Sequence, residues 1–575
     1  MSNIDGPYVT MLKSGITEEK RYMHMLVSNG KMAELHMKKN KLVRTIGMGF
    51  TAIAVAVSVS LSGIRSEAAP SYMKAATYVS DAWVSNFWNS ESDHMDEELT
   101  QIAADGFNSI VLVVPWREFQ PGVLPVSYNR YAFQKLDKVM NVANAHGLMV
   151  ELRVGYVWDY YNDDVTTGRF RDLLKDPSTR AAWLAYAKQI YRTASAHSNF
   201  HGGFMTWEDF WNYVEDAGNL GAGANSRIAA KNCGYQAWLK KHYSLKQVNE
   251  YYQPKEVFTS YDNIYIPAGK DYAFKLFYDF YDDFLNDLLE DTQKVFPGLS
   301  MEVRLDVDPV SAQDGNGETG ASHYGTFQCG NAEYTSLMYS VSMGHGFGNV
   351  LSAEEAIKTM NEQLSLVRAN NGGKPVFIDQ LLYMDATEGF EQNARLAESH
   401  RGAYLTGIPD TLRTHTNGYA VWTYRNYTNN PVYNHQFALG TRGWNVTGGR
   451  VVERAGSNQL YLESGGSLSQ KVGHRIGGRS THDGHVRFTA DSDGPATLTV
   501  KLGAMSRIVE VNGARQYDLN LGRRGFYEVS FEADGDLYLD NIHVYNFVQD
   551  GQLRDIDGNE LSCMSAMRSL NASMD

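Results

Sequence analysis

The sequence predicts two domains of different fold class: an α/β domain built as a (β/α)8 TIM barrel, followed by an all-β sandwich of jelly-roll type. From about residue 75 to residue 432, eight short apolar stretches with strand character alternate with amphipathic helical stretches, as in a (β/α)8 barrel. From residue 433 to about 548, helical signals vanish, Gly, Ser and Thr become frequent, and short alternating strands follow one another. The length of 575 residues accommodates both domains.

Within the barrel, the clearest helix is expected over residues 131–146, where apolar residues recur at helical spacing and Gly147 supplies a C-terminal stop signal. Other helices are predicted over residues 97–104 and 271–295. Active sites of such barrels lie at the carboxyl ends of the strands, so the residues that follow each strand are the functional candidates. The strands are predicted at residues 76–79, 109–114, 148–153, 204–208, 300–306, 334–343, 375–378 and 418–422.

The two ends of the chain carry different signals. A basic stretch beginning at Met37, an apolar run over residues 46–61 and small residues at 66–68 together predict a secretory signal peptide over residues 37–68. We therefore expect a secreted, periplasmic or cell-surface protein, with residues 1–36 an over-extended reading frame. An uncleaved membrane anchor is the alternative, although the run is short for a span. The polar residues 549–575 are expected to form a flexible tail.

Composition excludes some classes of function. Apolar content of 43% and charged content of 21% are typical of globular proteins, and a net charge of −14 argues against a nucleic-acid partner. Cys233, Cys329 and Cys563 form no metal-binding pattern; they are compatible with one disulfide but do not indicate the pair. We expect no metal and no cofactor.

The most informative stretch is residues 206–212, in which Glu208 is flanked by Trp207 and Trp211 at the end of the fourth predicted strand. This composition suits sugar chemistry, because flat rings stack on the C–H faces of sugars and a half-desolvated carboxyl keeps its proton near neutral pH. A buried glutamate bonded to backbone or arginine, with both tryptophans in the core, explains the same pattern equally well.

Several barrel stretches, in their order along residues 76–430, resemble clan-A glycoside hydrolases, particularly the β-galactosidase-like and cellulase-like branches. Residues 115–122 (Pro-Trp-Arg-Glu-Phe-Gln-Pro-Gly) resemble the "W…EP.G" stretch of that clan, and residues 145–148 resemble its "A.GL" turn. Residues 238–243 are similar to a helix of the β-galactosidase branch. Trp422 matches the tryptophan that ends strand eight beneath the cleaved sugar.

The resemblance implies two catalytic carboxylates, at the ends of strands four and seven. The acid/base glutamate of the family falls on Glu208, although Trp207 replaces the usual asparagine. In strand seven the family pattern, Lys-Pro-Val, three residues and a nucleophilic glutamate, ends here at Gln380, and an amide is too weak a nucleophile. Asp379 is the neighbouring candidate, but adjacent strand residues point to opposite faces unless the strand bends or bulges. The family retains anomeric configuration; the shorter aspartate leaves inversion open.

Further candidates follow the other predicted strands. Arg153 is expected to hold Glu208 or the second carboxylate in place, or to form a structural ion pair, and Asp209 is expected to face helix and solvent. Tryptophans at one rim would form a stacking platform for sugars, whereas each alone fits core packing. These tryptophans are Trp116, Trp158, Trp207, Trp211 and Trp422. The other substrate-binding candidates are Asp306 and Asp308 (or loop caps), Gln380 as a hydrogen-bond donor, Tyr424 and Tyr427.

Together these features predict an exported glycoside hydrolase that cleaves a polysaccharide or oligosaccharide. The alternative is a catalytically impaired barrel that binds polysaccharide as a scaffold or matrix protein, and Gln380 favours it. Residues 434–440, Trp444 and residues 538–542 look like a carbohydrate-binding module, with a plain structural sandwich as the alternative. The sequence does not name the sugar: β-linked glucans, galactans and a bacterial exopolysaccharide are all compatible.

Overall fold

The computed structural model describes residues 72–80, 83–92, 94–159, 161, 165–210, 224–268, 271–303, 305, 307–308, 310–317, 321–322, 331–384, 392–472, 483–522, 528–549 and 553–575. The predicted signal peptide and Cys329 lie outside these residues. Among the helices described, none has the length and apolar character that crossing a membrane requires. Cys233 and Cys563 carry free thiols.

The first domain is a closed barrel of eight parallel strands that neighbour each other in chain order, which confirms the predicted fold class. Each strand is bounded as follows: β1 Met73–Thr77, β2 Ser109–Val114, β3 Met149–Val154, β4 Phe200–Met205, β5 Ser300–Val303, β6 Thr335–Ser340, β7 Val376–Leu382 and β8 Thr416–Val421. Strand β4 ends before Glu208, which therefore lies in the short helix Trp207–Phe210 just beyond the strand.

Helices surround the barrel. The longer ones are α1 Met95–Ala104, α2 Arg130–Ala145, α3 Val165–Asp172, α4 Pro177–Ala194, α5 Ala224–Asn232, α6 Tyr235–His242, α7 Leu245–Tyr252, α8 Phe274–Gln293, α9 Ala353–Asn370, α10 Arg401–Gly407, α11 Pro409–His415 and α12 Met564–Ser573. Helix α2 begins where the side chain of Asn129 accepts a hydrogen bond from the Tyr131 N–H.

Strand β2 shows why the barrel strands read as continuous apolar runs. All six of its residues are buried, because a parallel strand in a barrel is covered on both faces. Ile110 and Leu112 pack outward into the large core shared with the helices. Val111 points inward, where side chains from several strands form a small apolar cluster. That cluster comprises Met73, Ala75, Val111, Phe204, Tyr334, Phe377 and Ala420.

The prediction of a flexible tail is wrong, because the end of the chain forms helix α12 and packs against the barrel. Three of its apolar side chains, Met564, Met567 and Leu570, are buried in the barrel core. The helix contacts α10 on one side. On the other, its Asn571 amide donates to the Asp105 carbonyl at the end of α1, over 2.9 Å. Helix α12 thus occupies the place of the eighth barrel helix.

The second domain is an antiparallel β-sandwich. Its eight described strands are β9 Asn445–Arg454, β10 Ser457–Lys471, β11 Gly484–Asp491, β12 Ala496–Leu502, β13 Met505–Val511, β14 Arg515–Gly522, β15 Glu528–Asp534 and β16 Leu537–Tyr545. They pair in the order β13-β12-β15-β10-β16-β11-β14, with β9 also on β10. The long strand β10 belongs to both layers, since its first part pairs with β16 and its last part with β15. Strands such as β12 alternate buried and half-buried residues, which fills the space between the layers.

The sandwich is an insertion between β8 and α12, and the chain segments that enter and leave it pair with each other. Tyr427–Thr428 runs antiparallel to Val548–Gln549. The sandwich contacts the barrel at residues 83–92, which follow β1. There the Asn434 N–H donates to the side chain of Asn89 over 2.8 Å. Glu91 accepts a hydrogen bond from the Asn458 N–H over 3.3 Å. The sandwich therefore sits beside the carboxyl-terminal rim of the barrel.

Candidate active site

Ionisable side chains meet inside the barrel at the carboxyl ends of its strands. Arg153 comes from β3, Glu208 and Asp209 follow β4, Glu302 lies on β5 and Asp379 on β7. Of these five only Glu208 is partly exposed, and the other four are buried. Charged groups avoid such burial unless they are paired or have a function, so this cluster is the candidate active site.

Arg153 is held by Asp209 and Thr206. Its Nε donates to Asp209 Oδ2 over 2.9 Å, and its Nη2 donates to Thr206 Oγ1 over 3.2 Å. Thr206 Oγ1 donates in turn to Asp209 Oδ2 over 2.6 Å. Burial alone would lower the pKa of Arg153, but the Asp209 carboxylate outweighs it and keeps that pKa above its ordinary value. The expectation that Asp209 faces helix and solvent is wrong, because Asp209 is fully buried as the partner of this arginine.

Glu208 is the half-buried carboxyl of the cluster. Its charge acts on both Arg153 and Asp379, so it belongs to the same group of side chains at this end of the barrel. Within the short helix Trp207–Phe210, at the carboxyl end of β4, the other three residues are buried and Glu208 alone keeps exposed surface. This is the position from which a carboxyl can reach a bound substrate.

Asp379 is placed by a β-bulge in β7. Against β6, Leu337 pairs with Ile378 and the next residue, Met338, pairs with Gln380, so Asp379 is the extra residue. The register against β8 shifts over the same segment. Ile378 and Leu381 both pack into the outer core, which leaves Asp379 and Gln380 between them on the inner side. The bulge that the sequence argument required for Asp379 is therefore present.

The Asp379 carboxyl differs from most buried ionisable groups in its burial and its hydrogen bonding. It is 1% exposed, and neither of its oxygens has a hydrogen-bond partner among the described residues. Burial raises the pKa of Asp379 well above its usual range, the nearby Glu302 carboxylate raises it further, and the Arg153 guanidinium opposes both. In the free protein this carboxyl therefore holds its proton into a higher pH range than an ordinary aspartate.

Glu302 was missed by the sequence analysis. It is 1% exposed and accepts a hydrogen bond from the Trp207 N–H over 2.9 Å, which ties the start of the short helix after β4 to β5. A signal existed: in the fifth predicted strand Met301 and Val303 are apolar, so a glutamate between them must point to the opposite, inner face.

Aromatic rings cover the arginine side of the site. The guanidinium of Arg153 lies over the ring of Tyr156 at 4.9 Å and over the ring of Trp422 at 5.6 Å. Trp422 is half-buried and donates from Nε1 to the Tyr427 hydroxyl over 3.2 Å. Trp158 is also half-buried and packs beside Trp422 in the same small cluster. Of the predicted platform tryptophans that the structure describes, Trp158 and Trp422 are therefore the two that keep exposed surface.

Three predicted substrate-binding residues lie elsewhere. Trp116 is fully buried among aromatic rings of α3 and α4, with Trp183 at 5.2 Å. Trp207 is fully buried and donates from Nε1 to Asp282 of α8 over 3.1 Å. Tyr424 is buried and hydrogen-bonds to Asp105, at the end of α1. A ring enclosed in this way cannot stack on a sugar, so the platform predicted from five tryptophans is wrong for Trp116 and Trp207.

Two further candidates, Trp211 and Asp306, lie outside the described residues. Asp308 belongs to the two-residue strand Val307–Asp308, which pairs with Ala321–Ser322. Gln380 is 6% exposed on the inner side of the bulge, next to Asp379. The structure thus brings together Arg153, Glu208, Asp379, Gln380, Trp158 and Trp422.

The fold and the site define a (β/α)8-barrel protein with paired carboxylates at the strand ends and a β-sandwich beside them. No protein-family model matches the chain, and no curated protein matches it. Among solved structures, it is similar to GH5_18 from Streptomyces cattleya in complex with GlcNAc, at 14% identity over 62% of this chain and 72% of that chain, with a TM-score of 0.38.

It is also similar to a β-galactosidase from the psychrophilic Marinomonas ef1, at 12% identity over 61% of this chain and 54% of that chain, with a TM-score of 0.43. A third similar structure is TmCBM61 in complex with β-1,4-galactotriose, at 18% identity over 20% of this chain and 99% of that chain, with a TM-score of 0.18. These likenesses are distant, so the function has to be argued from the site residues.

Proposed function

We propose that the chain is an exported glycoside hydrolase that cleaves a polysaccharide or oligosaccharide with Glu208 and Asp379 as its two catalytic carboxyls. The observation that carries the proposal is their shared location: the bulge in β7 turns Asp379 inward, and the charges of the half-buried Glu208 and of Arg153 both act on it. Hydrolysis of a glycosidic bond needs one carboxyl to protonate the leaving oxygen and another to attack the sugar or to activate water.

In this mechanism Glu208 is the general acid, because it is the carboxyl open toward the substrate. Asp379 is the second group, and it must lose its proton before it can act. Arg153 positions both groups by electrostatic attraction, while Asp209 keeps the arginine in place. Gln380 is a hydrogen-bond donor to the sugar. The half-buried Trp422 forms the apolar surface on which the sugar ring stacks.

Substitution of Glu208 tests the proposal. Glu208→Gln should lower kcat at least about a hundredfold, the usual scale for a general acid. Glu362→Gln, an exposed position on α9, is the matched control and should keep full activity. Reducing ends released from a panel of β-glucans, galactans, mannans and bacterial exopolysaccharides provide the assay. Equal turnover by both variants would remove Glu208 from the mechanism.

The pH dependence of kcat/KM tests which of the two carboxyls donates the proton. Because burial and Glu302 hold the proton on Asp379, kcat/KM should rise with pH through the raised pKa of Asp379 if its ionised form acts. A fall of kcat/KM over that range would instead make Asp379 the proton donor and exchange the two roles.

Retention of configuration is the stereochemical part of the proposal. A retaining site has its carboxyls about 5–5.5 Å apart, whereas about 6.5–9.5 Å leaves room for an attacking water. Aspartate is one methylene shorter than glutamate, about 1.5 Å. The bulge turns Asp379 inward, and the resemblance of the sequence motifs to a retaining family supports retention. The anomer first released, followed by NMR, should have the configuration of the substrate; the opposite anomer would show inversion.

Export is proposed from the signal-peptide pattern over residues 37–68. Expression in a bacterial host with a secretory pathway, followed by N-terminal sequencing of the exported protein, should give a start just after residue 68. A mature protein that begins upstream of Met37 would contradict both the signal peptide and the over-extended reading frame.

Binding without cleavage is the second candidate function. It is favoured by Gln380 at the nucleophile position and by the burial of Asp379, which raises the pKa of that carboxyl and opposes its ionised form. The same panel separates the two functions, because a binding protein is retained on a polysaccharide and releases no reducing ends.

A further inference from the structure

A second site lies on the sandwich, away from the carboxylates of the barrel. Strands β10 and β16 place Tyr461 and Tyr538 directly opposite each other. Their strand neighbours Leu460 and Leu539 are fully buried, so both tyrosines must point outward from the sandwich. The ring centroids are 5.3 Å apart and the ring planes are inclined by 48°.

The two rings form one side of a groove with a volume of about 310 Å³. This volume lies at the lower end of the range of about 300–1,000 Å³ that is typical of small-ligand sites. The other side is formed by two short loops that contribute Asp493 and Asp536. Gly494 and Pro495 complete the lining; neither carries a long side chain, so the groove stays open.

Arginines hold the rings in place. The Arg450 guanidinium lies over the Tyr461 ring at 4.7 Å, and that of Arg454 lies over the Tyr538 ring at 4.0 Å. Arg454 also forms ion pairs of 2.8 Å with Asp493 and 2.9 Å with Asp491. An arginine therefore lies over each ring, and both tyrosines also line the groove.

Asp536 supplies a hydrogen-bond acceptor. It accepts from the Ser464 N–H over 2.9 Å and from the Tyr461 hydroxyl over 2.8 Å. These bonds, that from the Ser464 backbone first, lower the pKa of Asp536, so it is ionised at neutral pH. Its remaining lone pairs, and those of Asp493, are available to hydroxyl donors in the groove.

The charges around the groove select the ligand. The two arginines carry two positive charges, whereas Glu463, Asp491, Asp493 and Asp536 carry four negative ones, so this group of side chains has a net charge of −2. An anionic ligand such as a uronate or a phosphate is therefore disfavoured. A ligand cation gains little from ring faces that arginines already cover. Apolar ring surface next to hydroxyl acceptors fits a neutral sugar.

We propose that the groove lined by Tyr461, Tyr538, Asp493 and Asp536 binds a neutral oligosaccharide segment. Its location supports this role. Tyr461 is three residues from Asn458, which contacts Glu91 at the barrel rim, so the groove lies about 10 Å along β10 from that contact. A glycan in the groove is held beside the end of the barrel that carries the carboxylates.

Affinity electrophoresis tests this site in the full mature chain, with Glu208→Gln as background so that no glycan is consumed. The gels contain β-1,4-galactan, mannan or mixed-linkage β-glucan as neutral polymers, and polygalacturonate as the anionic one. At least one neutral polymer should retard the protein. Tyr538→Ala and Tyr461→Ala should each weaken this binding about tenfold, as expected for a central aromatic contact.

Ile508→Ala is the matched control, because Ile508 is 70% exposed on β13 in the other layer, and it should bind like the parent. Asp536→Asn should weaken binding without loss of an aromatic ring, and melting temperatures identify variants that fail to fold. Unchanged retardation of both tyrosine variants, retardation by polygalacturonate only, or no retardation by any neutral polymer would overturn the proposal. Retardation without cleavage by the wild type would overturn only the hydrolase function.

Discussion

Replacement of Asp379 by asparagine should stabilise the protein and inactivate it. In the wild type, burial and the nearby Glu302 raise the pKa of Asp379 well above the ordinary 3.8. The folded state thus binds a proton more tightly than the unfolded state. Between pH 3.8 and that raised pKa the folded state carries more protons, so the free energy of unfolding must fall as pH rises.

The size of the expected stabilisation follows from the hydrogen-bond partners that the Asp379 carboxyl lacks. Both carboxylate oxygens are buried without hydrogen bonds, and an unsatisfied buried polar group costs about 1–3 kcal/mol, more when it is charged. The asparagine amide lacks the same partners but never becomes charged, so the variant avoids the additional cost of the charged form and at pH 8 should gain about 1–3 kcal/mol. For a large domain this corresponds to about 2 °C per kcal/mol, or roughly 2–6 °C in Tm. The loss of a catalytic carboxyl should lower kcat at least about a hundredfold.

Thermal and urea unfolding from pH 5 to pH 8 provide the assay. Wild-type stability should decline with pH in this window, and Asp379→Asn should decline less. Asp209→Asn is the matched control and should have the opposite effect on stability. It leaves Arg153 buried without its ionic partner and should lower the free energy of unfolding by about 3–5 kcal/mol. If Asp379→Asn is destabilised and keeps the wild-type pH slope, the carboxyl is satisfied in solution and the reasoning fails.

Three further predictions concern the surroundings of the site. Leu570→Ala on α12 should lose about 2–5 kcal/mol, while the exposed Ser569→Ala should lose almost nothing; equal melting temperatures would show that α12 does not stabilise the barrel. Burial raises the pKa of Glu118 to about 7, so this residue lowers stability as pH rises from 4.5 through 7, and Glu118→Gln should flatten this part of the unfolding profile measured by urea titration. Trp207→Phe removes the hydrogen bond to Asp282 and should lower the free energy of unfolding by about 1–3 kcal/mol, with KM unchanged. A raised KM at unchanged stability would indicate that the Trp207 ring contacts the substrate in the cleft.

Local signals account for what the sequence predicted correctly. The run of residues 110–114 is apolar throughout because a barrel strand is buried on both faces, and this pattern is visible in the local sequence alone. The end of helix α2 at Ala145 can likewise be predicted from the local sequence, because the stop signal Gly147 follows it. The eight repeats of these signals were sufficient to predict the barrel.

The errors concern contacts between distant parts of the chain. Trp207 looks like a cleft residue beside Glu208, but its ring is enclosed by α8, which follows more than sixty residues later. The bulge at Asp379 arises from the registers of β6 and β8 against β7, and no residue of β7 itself predicts it. Helix α12 did leave a signal, since Met564, Met567 and Leu570 recur every three residues, yet the polar residues between them make this short segment resemble a tail.

The return of the chain to the barrel after the sandwich sets an order of events during synthesis. The sandwich is complete by Tyr545, whereas the barrel lacks its last helix until the final residues emerge. The second domain can therefore fold while the first still waits for its closing helix, the reverse of the usual order from the N-terminus. Two covalent connections also anchor the sandwich, so it cannot swing on a single linker. A glycan segment held in the proposed groove would therefore stay near the barrel, and its effective concentration there would not depend on the length of a flexible linker.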